Sequence, residues 1–477
     1  MRRLRCTRSV SKIICVGALI AYLSTYSSAV SGAKHLAIVG ATLIDVRDFG
    51  LSTQDIVNAV VIVTNGRITA VGNQDDVKIP SDAEVLDATG LYIIPGLVDG
   101  YGALRTPGFA MAYTYEGVTT VFVQESPAGE DGEQRVLTSN VSPRILRGAM
   151  IGGYSADGRQ SKEHPWTNHR LHDRRLTPQE LTTRVDQISS DGFRGVLVGY
   201  DVWPDQFDVI EQEAHARGLV VLAELAFTSY PYAIRGGADA LPHNDRYQTG
   251  IAFSQDQLAY SDDPVGLSGA PAYRDVCESD VNSGEVVAYG KQLAKSHTVL
   301  MPILSIEATA DDVNVPNPWS LESAQFVRPE DLDDPVDPVT GERPYLKDRS
   351  EGKRRALKEC AIHRQQLDRR FHELGAHFLA ASGSPAYGII PGSGLHEELK
   401  LLQQIGLTPR EVLASATNNF SDIFGWHDLG LIEVGRRADM VILAADPRMD
   451  IRATDTIKIV IQEGHVIDRK RLIESAK

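Results

Sequence analysis

Residues 178–225 read PQELTTRVDQISSDGFRGVLVGYDVWPDQFDVIEQEAHARGLVVLAEL and alternate between helical and strand-like patterns. The stretches 178–190 and 205–218 have helical character, and the apolar runs 195–200 and 219–225 are short and β-rich. A helix that leads from one apolar strand to the next is typical of a parallel βαβ unit. This stretch therefore predicts an α/β fold built on a parallel sheet.

The same alternation extends in both directions, with the strand-like runs GVTTVFV (117–123) and AHFLAAS (376–382). Over roughly 340 residues, from 91 to 429, this pattern fits a (β/α)8 barrel better than an open sheet. A doubly wound sheet would more often carry a G-x-G-x-x-G motif after its first strand, and none is found there. We expect a TIM-like barrel over 91–429.

Both ends of the chain that flank this region read as short strands. Asn65-Gly66 separates two β-rich runs and predicts a tight hairpin turn. Two separate β-domains of this size would each have little core, so one small domain is favoured. We predict a composite β-sandwich formed by 34–90 and 430–477.

Residues 308–353 depart from the alternation, because they are rich in Pro and Asp and have weak periodicity. We interpret them as an insertion with short helices that lies over the barrel mouth. Disorder is the alternative interpretation.

The N-terminus has the pattern of a secretory signal peptide over residues 1–33. A basic segment precedes the apolar run Ile13–Leu23, which is too short for an ordinary transmembrane helix, and small residues follow. We expect an exported protein, periplasmic or secreted, with an uncleaved N-terminal anchor as the alternative.

Loss of residues 1–33, which carry five basic and no acidic side chains, would change the net charge from −15 to −20. Such an acidic surface argues against nucleic acid as a partner, and the absence of a further long apolar run argues against stable membrane insertion. Cys277 and Cys360 would remain, either as one disulfide or as two buried thiols.

Several motifs, spread over residues 36–467, resemble those of the amidohydrolase superfamily, in particular its imidazolonepropionase- and prolidase-like members. In chain order they are IPGLVD (94–99), EGVTT (116–120), Pro143-Arg144 with Gly152-Gly153, EAHARG (213–218), GLHEEL (394–399) with GLTP (406–409) and ASAT (414–417), and GLIEVGRRADMVILAADP (430–447). The resemblance implies a barrel with a composite β-sandwich. It also implies hydrolysis of C–N bonds, in non-peptide or dipeptide amides, by a metal-activated water.

In that family, ligands at the C-terminal ends of the barrel strands hold one or two divalent ions. They are a His-x-His pair on the first strand, a carboxylated Lys or Glu on the fourth, a His on the fifth and on the sixth, and an Asp on the eighth that is also the general base. The resemblance places these stations on Tyr101 and Ala103, within Val196–Gly199, and on Glu224, His243 and Gly383, in that order.

Only the sixth-strand station has the family's ligand residue, the histidine His243. At the fifth-strand station, Glu224 replaces the histidine with a carboxylate. A catalytic zinc site needs three protein ligands and an open position, so Glu224 and His243 are too few. We expect no cofactor, with a single residual zinc on these two residues as the alternative.

Other polar residues are weaker candidates. His164, His169 and His172 cluster without a ligand spacing that we recognise, and Asp201 is predicted to cap the helix that follows. His377 and His396 are interpreted as structural. Ser382 or Ser384 would need an elbow motif and a matched base to act as a nucleophile.

These observations favour a pseudoenzyme that binds a small amide-like ligand, through Tyr101, Glu224 and His243, or that binds an active homologous subunit. The first alternative is a divergent hydrolase, mononuclear or metal-free, that acts on cyclic amides or dipeptides with Glu224 and His243. The second is a structural partner with a closed mouth. A homo-oligomer is expected only by analogy with similar barrels.

Overall fold

The computed structural model describes residues 35–125, 141–155, 174–251, 276–313 and 315–476. The predicted signal peptide and the cluster of His164, His169 and His172 lie outside the described residues. None of the described helices is long and apolar enough to cross a membrane.

The described strands form a barrel and a separate mixed sheet. In chain order the strands are β1 (His35–Leu43), β2 (Ile56–Thr64), β3 (Arg67–Asn73), β4 (Ala83–Asp87), β5 (Tyr92–Pro95), β6 (Leu97–Ala103), β7 (Val118–Glu125), β8 (Arg144–Ile151), β9 (Tyr154–Ser155), β10 (Arg174–Arg175), β11 (Gly195–Val198), β12 (Val220–Ala223), β13 (Ala240–Pro242), β14 (Val299–Met301), β15 (Met440–Leu443), β16 (Ile457–Gln462) and β17 (His465–Ile467).

The barrel contains β6, β7, β8, β11, β12, β13 and β14, which pair in this order and in parallel. The segment that was predicted as the last strand closes the ring between β14 and β6. Leu379 N donates to Leu300 O at 2.9 Å, and Gly100 N donates to Ala380 O at 3.1 Å. The predicted (β/α)8 barrel is confirmed.

The two ends of the chain meet in one mixed sheet, with the order β17-β16-β15-β5-β1-β2-β3 and with β4 paired to β1. The antiparallel pairing of β15 with β5 joins the C-terminal strands to the N-terminal ones. Asn65 and Gly66 form the hairpin between β2 and β3, and both have positive φ (50° and 74°), as the predicted tight turn requires. The composite β-domain is confirmed.

Gly96 connects the sheet to the barrel, between β5 and β6. A Cβ at this position would lie 2.3 Å from Oγ1 of Thr119, on the neighbouring strand β7. Any side chain here would therefore collide with the second barrel strand, which explains why the IPGLVD motif needs its glycine.

The helices surround the barrel, and the two that were predicted from sequence are present as Pro178–Ser190 and Pro204–Ala216. The first begins with a capping box between Thr177 and Glu180. The other helices of the described residues include Pro107–Tyr115, Tyr230–Gly236, Asn244–Tyr247, Gly284–Lys295, Leu304–Ala310, Pro344–Lys347, Glu351–Glu373, Ser393–Gln404, Pro409–Ser415, Asn418–Phe424 and Arg469–Ala476.

The insertion 308–353 contains the predicted short helices, in the form of 3₁₀ turns at 318–320, 322–326 and 329–331 and the helix Pro344–Lys347. At the rim of the barrel, Arg105 forms a two-point ion pair with Asp333, at 2.7 and 2.9 Å. The part around 322–326 packs instead against the helices Pro107–Tyr115 and Arg469–Ala476. The described part of the insertion therefore contacts the loops at the mouth, where Asp333 also bonds to the backbone of Pro385 and Gly388, and covers the flank of the barrel around 322–326.

Cys277 and Cys360 form a disulfide across 83 residues of sequence. It joins the segment before Gly284–Lys295 to the long helix Glu351–Glu373. Of the two states that the sequence allowed for these cysteines, the structure contains the bonded one.

A partly buried ion-pair cluster attaches the N-terminal part of the sheet domain to the helix Pro409–Ser415. Asp55 accepts hydrogen bonds from Arg410 at 2.5 and 2.9 Å and from Arg448 at 2.7 Å. Burial raises the pKa of Asp55, but these bonds and one from the Asp45 N–H outweigh it and lower the pKa overall.

We expect Asp55→Asn to lower the free energy of unfolding by about 2 kcal/mol at neutral pH, because two arginines lose their shared carboxylate. Since the folded-state pKa is depressed, the stabilisation is present above about pH 4 and is lost as the pH falls below it. Urea unfolding at pH 7 and at pH 3 measures this, with the exposed Asp75→Asn as the control. Equal effects of the two variants at pH 7 would contradict the assignment.

Candidate functional site

Four side chains, from four of the barrel strands or the residues just after them, meet at the C-terminal end of the barrel. Tyr101 lies on β6, Tyr200 follows β11, Glu224 follows β12 and His243 follows β13. Glu224 is at the centre of the group: its Oε1 accepts from the Tyr101 hydroxyl at 2.7 Å, and its Oε2 accepts from the Tyr200 hydroxyl at 2.8 Å. His243 Nε2 lies 3.3 Å from Oε1 of Glu224. We call these four residues the mouth tetrad.

Glu224 is a carboxylate in this arrangement. Burial favours its neutral form, but the charge of His243 and hydrogen bonds from His243, Tyr101 and Tyr200 outweigh burial and lower its pKa to about 2. Both oxygens are therefore negatively charged acceptors that already have partners.

His243 carries the matching positive charge. Burial lowers its pKa, but the charge of Glu224 and the hydrogen bond to it raise the pKa above the ordinary value of 6.5 overall. The ring also contacts Tyr101 edge to face, with 5.2 Å between centroids. About a fifth of the side chain (19%) remains exposed, so the imidazolium is the charged member of the tetrad that faces the mouth.

We expect the His243 ring to stay protonated above pH 6.5, and Glu224→Gln to move its pKa below 6.5. The reason is that burial remains in the variant while the compensating carboxylate is lost. ¹⁵N NMR of the imidazole nitrogens over pH 5–9 measures both values, with the exposed His465 as an internal control. Equal His243 pKa values in the two proteins would contradict the ion pair.

A second, deeper network joins the first and last barrel strands. Asp99 accepts from the Ser382 N–H at 2.9 Å and from the Ser382 hydroxyl at 2.5 Å. Ser384 contacts the Ser382 hydroxyl at 3.0 Å and the Tyr113 hydroxyl at 2.6 Å. Burial raises the pKa of Asp99 to about 6, although the bonds from Ser382 oppose it. Both serines are buried and bonded within this network, so neither hydroxyl faces the mouth as a nucleophile would.

Gly383 is the position where the family's general base would stand. Its φ is +65°, and a Cβ built there would lie 2.5 Å from Cδ1 of Ile306 and 2.7 Å from Cγ2 of Ile303. Two isoleucines therefore occupy the space that any side chain at this position would enter.

The other degenerate stations are equally unsuited to a metal. Ala103 is buried and has no donor atom in its side chain. The fourth-strand station, Val196–Gly199, offers only apolar side chains, and the polar residue that follows it, Tyr200, is bonded to Glu224.

The donor set does not fit the metal centre that the fold family uses. Glu224 and His243 provide one carboxylate and one imidazole, and they are paired with each other. Within the ranges that the structure describes, no three His, Cys, Asp or Glu side chains form a group that could hold a metal ion. A catalytic zinc needs three protein ligands.

Three residues from the sequence-based candidates have structural roles. Asp201 does not cap the following helix, as predicted, because Trp203 occupies that position; Oδ1 of Asp201 instead accepts from Gly153 N at 3.1 Å. His396 is buried, and its ring contacts Thr454 Oγ1 and Glu116 O. His377 stacks on Phe49, 3.9 Å between centroids.

Directly behind His243 lies a buried polar network. Asn244 donates to Glu307 at 3.1 Å and to Asp368 at 3.0 Å, and Asp368 also accepts from Tyr247 at 2.7 Å. Arg364 forms an ion pair with Glu307. This network anchors the chain just after His243, whose backbone has a positive φ of 63°.

Sequence reasoning missed two features of the site. Tyr200 was not singled out, although its position at the end of a predicted strand would have placed it at the mouth. Ile303 and Ile306 follow β14 and carried no polar signal, so their role in filling the Gly383 station needed the three-dimensional structure.

Comparisons with known proteins agree with this fold. Residues 358–467 match the sequence model of a family described as "Amidohydrolase family". A dihydroorotase of Pelotomaculum thermopropionicum is 32% identical over 124 residues, 26% of this chain and 26% of that protein. Adenine deaminase 1 of Desulfotalea psychrophila is 38% identical over 68 residues, 13% of this chain and 11% of that protein. The chain thus aligns with about a quarter or less of the length of these curated relatives.

Solved structures resemble almost the whole chain. A putative prolidase from Bifidobacterium longum has a TM-score of 0.59 at 20% identity, and covers 93% of this chain and 99% of its own. A bottromycin amidohydrolase has a TM-score of 0.66 at 18% identity, and covers 93% of this chain and 91% of its own. At such identities these likenesses establish the fold alone.

Proposed function

We propose that this chain, whose residues 358–467 match the amidohydrolase family model and whose fold is that of a prolidase-like structure, is a pseudoenzyme of the amidohydrolase superfamily, which binds a small amide-like molecule at the barrel mouth without metal-activated hydrolysis. The superfamily's members are hydrolases. In this chain, binding of the ligand would be retained and its hydrolysis lost. Its occupant would be a carbonyl-containing ligand, recognised by the imidazolium of His243.

One observation carries the proposal: the mouth tetrad is a closed hydrogen-bonded group. Tyr101, Tyr200 and His243 all point their polar atoms at Glu224, whose two oxygens are thereby engaged. A metal ion that bound Glu224 would have to displace these partners. The imidazole of His243 would then be its second ligand. The tetrad supplies a positively charged donor to a ligand instead.

Hydrolysis also needs a group that removes a proton from the attacking water. The resemblance places the family's carboxylate on Gly383, where isoleucines leave no room for a side chain. Glu224 raises the pKa of His243 above its ordinary value, which favours the protonated ring, and a protonated ring does not accept that proton.

The second candidate function is a metal-free hydrolase of cyclic amides or dipeptides, with His243 and Glu224 as catalytic residues. The specific support for it is that Glu224 holds an imidazole at the mouth, as carboxylates hold the catalytic histidine in acid–base dyads. Such an enzyme would work only above the raised pKa of His243, where the ring is neutral. Its rate should therefore rise with pH through that value.

Export to the periplasm or the medium, by the predicted signal peptide at 1–33, is part of the proposal. The disulfide between Cys277 and Cys360 supports it, because disulfides persist in oxidising compartments. An active homologous subunit remains a proposed alternative occupant of the same face.

The test uses the full mature chain with glycyl-proline and hydantoin as probes, each assayed for binding by calorimetry and for turnover at pH 6–9. We expect at least one probe to bind without turnover, and His243→Asn to weaken that binding about tenfold, since it removes a charged donor. His465→Asn, on the exposed strand β17, is the matched control. Turnover that rises with pH and is lost in His243→Asn would favour the second candidate, and no binding by either probe would contradict ligand recognition at the mouth.

A further inference from the structure

The disulfide between Cys277 and Cys360 lies against a buried cation. Arg364 follows Cys360 by one turn of the helix Glu351–Glu373, and its Nη1 is 3.1 Å from Sγ of Cys360 and 3.9 Å from Sγ of Cys277. Only 9% of Arg364 is exposed, whereas both cysteines are partly exposed. The disulfide is therefore accessible to a small reagent and has a fixed positive charge beside its sulfur atoms.

Arg364 is held in this position from its other side. Its Nε forms an ion pair with Glu307, and its backbone carbonyl accepts from Gln248 Nε2 at 2.9 Å. The charges of Asp245 and Asp311 also act on it. Burial raises the pKa of Glu307 to about 7, although the charge of Arg364 opposes it, so Glu307 takes up a proton close to neutral pH. A second anion beside Arg364 would therefore replace a carboxylate that is readily neutralised.

Such a cation favours one way of breaking the disulfide. A thiol next to an arginine loses its proton more readily, because the positive charge stabilises the thiolate. In thiol–disulfide exchange, the sulfur whose thiol has the lower pKa is the better leaving group. Since Arg364 is closer to Cys360 than to Cys277, Cys360 is the leaving sulfur and Cys277 is the sulfur that is attacked.

We propose that the bond between Cys277 and Cys360 is a redox-active disulfide, which a dithiol reduces and in which Arg364 stabilises the Cys360 thiolate. One thiolate of the dithiol attacks Sγ of Cys277, the S–S bond breaks, and Cys360 leaves as a thiolate next to Nη1 of Arg364.

The second thiolate of the dithiol then attacks the dithiol's own sulfur in the mixed disulfide and releases Cys277. The two electrons come from the dithiol, which ends as a disulfide. Of the two protons that the dithiol loses, one ends on Cys277 and the other is released to the solvent. This site is independent of the mouth tetrad and of the function proposed for it.

A redox titration of the purified protein tests the proposal, with reduced and oxidised dithiothreitol as the couple at pH 7. Mass spectrometry after alkylation counts the free thiols. Arg364→Gln should lower the equilibrium constant for reduction about tenfold, which is about 30 mV for this two-electron couple. Arg364→Lys keeps the charge and should recover part of this loss.

Arg355→Gln, which removes an exposed arginine of the same helix, is the matched control and should titrate like the wild type. Circular dichroism verifies that each variant is folded. Equal constants for the wild type and a folded Arg364→Gln protein would overturn the proposal.

Single-cysteine variants test which sulfur is the leaving group, without a change at Arg364. Cys277→Ser leaves the Cys360 thiol and Cys360→Ser leaves the Cys277 thiol, and both lack the disulfide, so each is the control for the other. The rate of alkylation by iodoacetamide as a function of pH gives the two thiol pKa values. Cys360 should have the lower pKa, because Arg364 is closer to its sulfur. A Cys360 pKa equal to or above that of Cys277 would overturn the proposal, and this comparison decides it if Arg364→Gln does not fold.

Discussion

Glu224→Ala should lower the free energy of unfolding by about 3–5 kcal/mol at pH 6, one of the largest effects of any single substitution in this chain. The variant removes the charged partner of the mostly buried His243 and the acceptor of two phenol groups, from Tyr101 and Tyr200. Urea unfolding followed by circular dichroism measures the loss.

The pH dependence of this effect separates it from a simple packing defect. Glu224 has a depressed pKa of about 2, so its contribution is present above its ordinary value near 4.5 and is lost as the pH falls toward 2. His243 has a raised pKa, so its contribution is present below 6.5 and is lost as the pH rises through the folded-state value. The difference between wild type and Glu224→Ala should therefore be largest between about pH 4.5 and 6.5.

Glu433→Ala, an exposed carboxylate in the return to the sheet domain, is the control and should cost less than about 1 kcal/mol. A Glu224→Ala effect equal to that of Glu433→Ala would mean that the buried pair does not form.

Gly383→Asp, which restores the family's residue at the eighth-strand station, should destabilise the protein by about 4 kcal/mol. Three costs combine: a positive φ of 65°, a collision with Ile303 and Ile306, and burial of a carboxylate without a partner. We expect no gain of metal binding, because the first- and fourth-strand ligands are still missing. Thermal unfolding with and without zinc measures both outcomes.

Gly425→Asp is a matched control, since Gly425 has nearly the same φ (67°) and nothing within 4 Å of its added Cβ. It should cost only about 1 kcal/mol, which is the conformational part of the effect. A Gly383→Asp protein as stable as Gly425→Asp would mean that the isoleucines leave room for the family's base.

Sequence reasoning predicted the barrel and the composite β-domain because both depend on local patterns. Helix 178–190 was placed at its observed bounds, since Thr177 and Glu180 form a capping box and the apolar period is regular. Asn65-Gly66 likewise fixes its hairpin through the backbone preferences of two residues.

The site was only partly predictable. The motif alignment placed Tyr101, Glu224 and His243 at one end of the barrel, and the structure brings these three together. It could not reveal that Tyr200 completes the group, because that contact depends on where β11 ends and how its side chain turns. The capping role predicted for Asp201 was wrong because its hydrogen bond is not local. It accepts from the N–H of Gly153, 48 residues away.

The most direct test of the central claim is the metal content of the protein, measured by elemental mass spectrometry. The protein is purified after growth with added zinc and manganese. The account predicts less than about one-tenth of a metal ion per chain, because Glu224 and His243 are paired with each other and too few to hold a catalytic ion. One tightly bound zinc or manganese per chain that is lost in both His243→Ala and Glu224→Gln would contradict it.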